Sequence, residues 1–149
     1  TGVNYNHPDL KANMWRNSSG QYGRDFINND NDPIDDFGHG THCAGLAAAV
    51  SNNGVGIAGT MGLKSKIMAV KVLGRDGGGS SEAIVNGINY AAQNGAQVIS
   101  LSLGSKGANS VFQRAIANAV GSGAVVLMAA GNDNAQISAQ NLYSPVGYG

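Results

Sequence analysis

From residue 67 onward the sequence alternates short apolar runs with amphipathic stretches, and that alternation leaves few folds open. Residues 67–72, 98–103 and 124–130 are each short and strongly apolar, the pattern of buried strands. Between them lie two segments of helical period. Ser80 or Ser81 can cap the first, in which Ile84, Val85, Ile88, Ala91 and Ala92 share one face. Gln93-Asn94-Gly95 stops it, with Gly95 or Asn94 suited to a left-handed cap. The second runs over residues 110–120 through Phe112, Ile116 and Ala119, and Gly121 or Gly123 ends it. Strand, helix, strand, helix, strand with short connections predicts a parallel sheet with right-handed crossovers. Apolar strands of this kind are expected to be buried on both faces, under helices on both sides of the sheet.

The preceding part reads differently. The first forty residues are polar and turn-rich, as in Asn28-Asn29-Asp30-Asn31-Asp32-Pro33, and predict loop with short structured pieces. Residues 40–50 are small and apolar on nearly every face, which predicts a buried helix, ended by Ser51-Asn52-Asn53-Gly54. Asn17-Ser18-Ser19 fits the N-glycosylation pattern, a short pattern that chance often supplies. No repeat or linker divides the chain, so residues 1–149 read as one domain.

Composition narrows the function. Nine Lys and Arg balance nine Asp and Glu, so no basic excess exists to neutralise a nucleic acid. The longest wholly apolar run, residues 124–130, is far below the ~20 residues a bilayer crossing needs, which argues against a membrane partner. One cysteine, Cys43, excludes an intrachain disulfide. The chain opens on Thr1-Gly2-Val3, with no signal-peptide pattern in it. Gly accounts for 23 of 149 residues, and glycine-rich loops suit a backbone that must approach a ligand closely.

In open α/β sheets ligands bind beyond the carboxyl ends of the strands. Three loops leave such ends here: Leu73-Gly74-Arg75-Asp76-Gly77-Gly78-Gly79, Gly104-Ser105 and Gly131-Asn132-Asp133. They predict a groove of extended, glycine-lined backbone edges, suited to a peptide that adds as a strand.

Local motifs sharpen this. Asp35-Asp36-Phe37-Gly38-His39-Gly40-Thr41-His42-Cys43-Ala44-Gly45 resembles the histidine motif of the subtilases, the subtilisin-like serine proteases. Thr1-Gly2-Val3 and His7-Pro8-Asp9-Leu10 resemble the segment just after that family's catalytic Asp. Residues 67–73, Ser100-Leu101-Ser102-Leu103-Gly104 and Ala129-Ala130-Gly131-Asn132 resemble its groove strands and oxyanion segment, in the family's order. Cys43 resembles the subset that includes proteinase K and thermitase.

The resemblance implies an α/β fold, a three-layer parallel sheet with helices on both faces, incomplete at both ends. It implies a serine-type endopeptidase in which His39 is the general base and the Asn132 amide stabilises the oxyanion. Gly77, Gly78 and Gly79 would form one edge of the substrate channel and Ser102, Leu103 and Gly104 the other; Ala129, Ala130 and Gly131 would line the pocket for the side chain before the cut. It implies structural calcium held by Asp9, Asn53 and the carbonyls of Val55 and Ile57, with a second site plausible among Asp30, Asp32 and Asp35, near Asp36 and Asn31. A protein or peptide substrate, a propeptide and secretion follow as family expectations. The triad Asp would stand immediately before Thr1 and the nucleophile in a Gly-Thr-Ser-Met-Ala segment beyond residue 149. The chain is therefore expected to be a piece of a longer protease, inert alone.

Three rival readings remain. His39 and Cys43, four apart, suit a cysteine hydrolase, against the usual behaviour of a free thiol as a small buried side chain. His39, His42 and an Asp suit zinc weakly. A non-catalytic module that binds calcium or peptide would keep the groove and lose the triad.

Overall fold

A computed structural model describes residues 1–62, 65–107, 109–136 and 143–144. The chain divides into two compact units, Thr1–Gly87 and Ile88–Gly149.

In the first unit a single turn of 3-10 helix, Lys11–Asn13, precedes strand β1 (Gly23–Asp25), helix α1 (His39–Ala48), strand β2 (Ala69–Lys71) and the start of helix α2 (Ser81–Gln93). β1 and β2 are parallel, with Gly23 opposite Ala69 and Asp25 opposite Lys71. A parallel bridge between Met14 and Ile67 continues the pairing upstream. Gly23 is obligatory, because a Cβ there would collide with the Ala69 carbonyl. Val3, Leu10, Met14, Ala44, Ala49 and Ala69 form the core, with Tyr5, Tyr22 and Ile67 packed around it. Buried Asn13 pins the end of α1 by donating from Nδ2 to the Ala48 carbonyl at 2.9 Å.

α2 begins as its sequence predicts: Ser80 Oγ accepts from the Ala83 N–H at 3.1 Å. Ala83 and Ile84 are buried on its inner face. Gly87 sits on the same face, where a Cβ would meet Val72 Cγ1 and lie 3.0 Å from Val70 Cγ1.

The second unit holds the end of α2, strand β3 (Val98–Leu101), strand β4 (Ser105–Lys106), helix α3 (Ser110–Gly121), strand β5 (Val125–Met128) and strand β6 (Tyr143–Ser144). α2 stops at Asn94-Gly95, with Gly95 at φ +79°. Asn109 caps α3 by accepting from the Val111 and Phe112 N–H groups. β3 and β5 are parallel, Val98 opposite Val125 and Leu101 opposite Met128. β4 and β6, separated in sequence by α3 and β5, pair antiparallel, which the apolar pattern does not announce.

Parallel ladders and the helices between them place the chain in the α/β class, as expected. Two local expectations change. α1 is not buried all round: only Ala44 and Ala48 of its residues are buried, and Leu46 is 52% exposed. Nor are the strands covered on both faces, since Ile99 and Leu101 are buried while Val98, Val125 and Leu127 are exposed. Small or apolar composition permits burial on every face, but a face is buried only where another element lies against it.

Gly87→Ala provides a test of this packing. Alanine is worth about 1 kcal/mol more than glycine inside a helix. Here the added methyl meets stiff, β-branched Val72, and overpacking costs about 1–3 kcal/mol. Urea unfolding should show the variant less stable than the parent, against intrinsic helix propensity.

Candidate functional site

The organising group of the first unit is the Asp35 carboxylate. Its Oδ1 accepts from Thr1 Oγ1 (2.8 Å) and from the N–H groups of Phe37 (3.0 Å) and Gly38 (2.9 Å). Its Oδ2 accepts from the Thr41 N–H (2.8 Å) and the Thr41 hydroxyl (2.6 Å). Both hydroxyls pass the connection on. Thr1 Oγ1 accepts from the Gly40 N–H, and Thr41 Oγ1 from the Asn4 N–H, each at 2.8 Å. One carboxylate thus ties the Thr1–Asn4 segment to the first turn of α1, and supplies negative charge where the helix N–H groups are unpaired.

His39 is the first residue of that helix and is exposed. The residue before it, Gly38, lies at φ +97°, a backbone that a side chain would strain. Gly40 is fixed for another reason: a Cβ there would collide with the Gly2 carbonyl oxygen. The glycines flanking the histidine therefore have distinct causes, one conformational and one a close approach between chain segments.

Lys71 underlies the same arrangement. It is 1% exposed, at the end of β2. Its Nζ donates to the carbonyls of Thr1 (2.8 Å) and Leu73 (2.9 Å) and to Asp36 Oδ1 (2.5 Å). A buried ammonium is tolerated because all three of its donors are used and one partner is a carboxylate. Lys71, Thr1, Thr41 and Asp36 were not singled out for this role from sequence. The available signal was a lysine inside an otherwise apolar strand, which implies a polar partner within reach.

The glycine edge lies in the same unit. Gly74 N–H donates to the Gly78 carbonyl (2.7 Å), and Asp76 Oδ1 accepts from the Gly78 N–H (2.9 Å). Gly77 has φ +76°, and a Cβ there would lie 3.4 Å from the ring of Phe37, which is 54% exposed. Gly79 is sterically required, because a Cβ would strike the Val72 carbonyl. Gly78 is the freest of the three: its φ is ordinary and a Cβ would meet only Asp76, at 3.3 Å.

In the second unit, the parallel register brings Ser102-Leu103-Gly104 and Ala129-Ala130-Gly131-Asn132 out at the same end of the β3–β5 ladder. Ala129 N–H donates to the Leu101 carbonyl at 3.1 Å. Ala129, Ala130 and Asn132 are exposed, and Gly131 takes φ +92°.

The expected metal residues divide. Asp9, Asn53, Val55 and Ile57 are brought together. Asp9 is 3% exposed, and no salt bridge among the described residues neutralises it. Its Oδ2 accepts from the Ile57 N–H (3.0 Å) and its Oδ1 from Asn53 Nδ2 (2.7 Å), which together hold the carboxyl below its usual range. The loop closes so tightly that a Cβ on Gly56 would collide with Asp9 Oδ2. The groups that face Asp9 are nitrogen donors, so the loop would have to turn amide and carbonyl oxygens inward to take calcium, a cation that suits one carboxylate with several neutral oxygens.

Asp30, Asp32 and Asp35 are not brought together. Asp30 Oδ1 accepts from the Asp32 N–H, Asp32 Oδ1 from the Tyr5 hydroxyl, and Asp35 is committed to the α1 hub. Among the described residues no three His, Cys, Asp or Glu side chains gather as metal ligands, so His39 and His42 gain no third such partner. Cys43 Sγ lies 3.8 Å from His39 Nε2, one helical turn on.

Comparison with known proteins bears on the family and the fold. Residues 1–149 match the Subtilase family profile. The chain is 52% identical over 132 residues to thermitase of Thermoactinomyces vulgaris, covering 89% of this chain and 45% of that protein. It is 43% identical over 148 residues to the thermophilic serine proteinase of Bacillus sp. (strain AK1), covering 99% of this chain and 34% of that one. A crystal structure of a cold-adapted subtilisin-like serine proteinase superposes with a TM-score of 0.73 at 33% identity, over 99% of this chain and 49% of that chain. The fold is thus subtilisin-like, that of a class of serine proteases. The chain belongs to the Subtilase family, and it spans about half the length or less of the relatives it matches.

The Asp35 hub has a defined pH signature. Burial opposes its charge, but hydrogen bonds from the Thr41 hydroxyl and from the N–H groups of Gly38, Thr41 and Phe37 outweigh it, holding the carboxyl far below the usual range. A pKa lowered by folding contributes stability above the unfolded value, about 3.9, and that stability is lost as pH falls through the folded one. Asp35→Asn should therefore cost about 2 kcal/mol at neutral pH, after discounting for solvent at the carboxylate. In denaturant titrations the gap between parent and variant should begin to narrow below about pH 4 and go on narrowing at lower pH; a gap that does not change with pH would contradict this assignment.

Proposed function

We propose that this chain supplies the general base and the oxyanion donor of a subtilisin-like serine endopeptidase. The observation that supports this most directly is the hub around Asp35, which presents an exposed His39 between two structurally obligatory glycines at the start of α1. In that role the His39 imidazole takes the proton of a serine hydroxyl as it attacks the scissile carbonyl. It then returns the proton to the leaving amine. The Asn132 amide donates to the oxygen as charge develops on it.

Substrate is held extended. By the family resemblance, Gly77-Gly78-Gly79 and Ser102-Leu103-Gly104 each offer backbone N–H and C=O groups to the peptide, as in strand addition. Exposed, small Ala129 and Ala130 leave room for a large apolar side chain before the cut. In the whole protein, His39→Ala should lower kcat by about a millionfold and Asn132→Ala by about a hundred- to a thousandfold, magnitudes measured in subtilisin itself. KM should change little. Unchanged hydrolysis in His39→Ala would refute the role of the base, and a whole protein that binds but never cleaves peptides would favour the non-catalytic module.

Calcium at the Asp9 loop is part of the proposal, resting on the buried, unneutralised carboxylate and the folded-over Asn53–Ile57 segment. When bound it supplies structural charge, not reaction chemistry. A site with one carboxylate suits the weak-binding, calcium-rich exterior of a cell, and secretion is proposed with it. Chelation should lower Tm by roughly 5–10 °C, the shift expected from removing a ligand held at ~100 times its Kd. No change in Tm would remove calcium from the proposal.

A further inference from the structure

The sequence contains three Asn-Gly pairs, at Asn53-Gly54, Asn86-Gly87 and Asn94-Gly95. Each is chemically primed for deamidation, since glycine leaves the following backbone nitrogen unhindered. The fold treats them differently. Gly87 lies inside α2, where the helical backbone holds its N–H and Val72 and Val70 crowd it. Gly95 N–H donates to the Ala92 carbonyl at 3.1 Å, and Asn94 Nδ2 is tied to the Tyr90 carbonyl at 2.9 Å.

At Asn53-Gly54 the side chain is tied as well, Nδ2 donating to Asp9 Oδ1 at 2.7 Å, but the backbone nitrogen that must attack is not held. Both residues are exposed, Gly54 is at φ +72°, and nothing lies within 4 Å of where its Cβ would be. Among the described residues its N–H meets no acceptor. Meanwhile Asn53 Oδ1 accepts from the Val55 N–H at 3.0 Å, which draws electron density from Cγ and stabilises an oxyanion there.

We propose that Asn53 is the site at which the folded protein modifies itself. The Gly54 nitrogen loses its proton and attacks Asn53 Cγ. The Cγ–Nδ2 bond breaks, and ammonia leaves carrying the proton. Water then opens the cyclic imide at either carbonyl, leaving aspartate or isoaspartate at position 53. The product replaces the donor that faces Asp9 Oδ1 by an anion, so the loop exchanges an attractive contact for a repulsive one. The reaction is independent of proteolysis.

The test is a time course at mildly alkaline pH on the intact protein with a serine-directed inhibitor present, followed by peptide mapping for isoaspartate and for the exchange of NH2 for OH. A parallel sample is held in urea. The folded protein should deamidate at Asn53 roughly tenfold faster than at Asn86 or Asn94, the factor that an ordinary hydrogen bond on the nucleophilic nitrogen supplies. In urea the three pairs should react at similar rates, and Gly54→Ala should slow the reaction at Asn53 in urea as well as in the fold. Equal rates at Asn53 and Asn94 in the folded protein would overturn the proposal. So would an inert Asn53 in the fold beside three reactive pairs in urea.

Discussion

A single carboxylate, that of Asp35, is the contact on which the geometry of the first unit depends. It gathers the hydroxyl of distant Thr1, the backbone N–H groups of nearby Phe37 and Gly38, and both donors of Thr41. Without it the Thr1–Asn4 segment and the first turn of α1 would both carry unpaired N–H groups, which is costly wherever water is excluded. The hub also accounts for the glycines: only a residue without a side chain can follow the histidine where the Gly2 carbonyl passes. The position of His39 is thus fixed by hydrogen bonds made behind it.

Two of the buried charges of this unit, Lys71 and Asp9, are handled in different ways. Lys71 is satisfied wholly from within the chain, by two carbonyls and Asp36. Asp9 accepts from an N–H and an amide, and among the described residues no salt bridge pairs it. That contrast is why one reads as a structural brace and the other as a place for a cation. The same Asn53 that completes the Asp9 loop is the most open of the Asn-Gly pairs. The chain turns there at Gly54, at φ +72°, and that turn leaves the Gly54 N–H without an acceptor among the described residues.

Much of the fold was legible in local pattern. The apolar faces of α2 and α3, the Ser80 cap and the Gly95 stop are short-range features, and the structure has them where the sequence puts them. Other features were not legible because their partners are remote. β1 is too short and polar to signal a strand, and exists because Ala69 and Lys71 lie beside it. Asp35 looked like one more acid in a run of acids; its separation from Asp30 and Asp32 depends on Thr1 and Thr41 arriving at its other side.

The sequence alone determined the α/β alternation, the family and the identity of the histidine and asparagine expected to act, since each is carried by residue type and spacing along the chain. Tertiary structure decided what those residues are held by and which faces are covered. It gave Asp35 to the α1 hub, buried Lys71 on Asp36, folded the Asn53–Ile57 loop over Asp9, and left Leu46, Val98, Val125 and Leu127 exposed. The reason is physical: propensity and period act over a few residues, whereas satisfying a buried charge or covering an apolar face requires a partner that only the folded chain brings within reach.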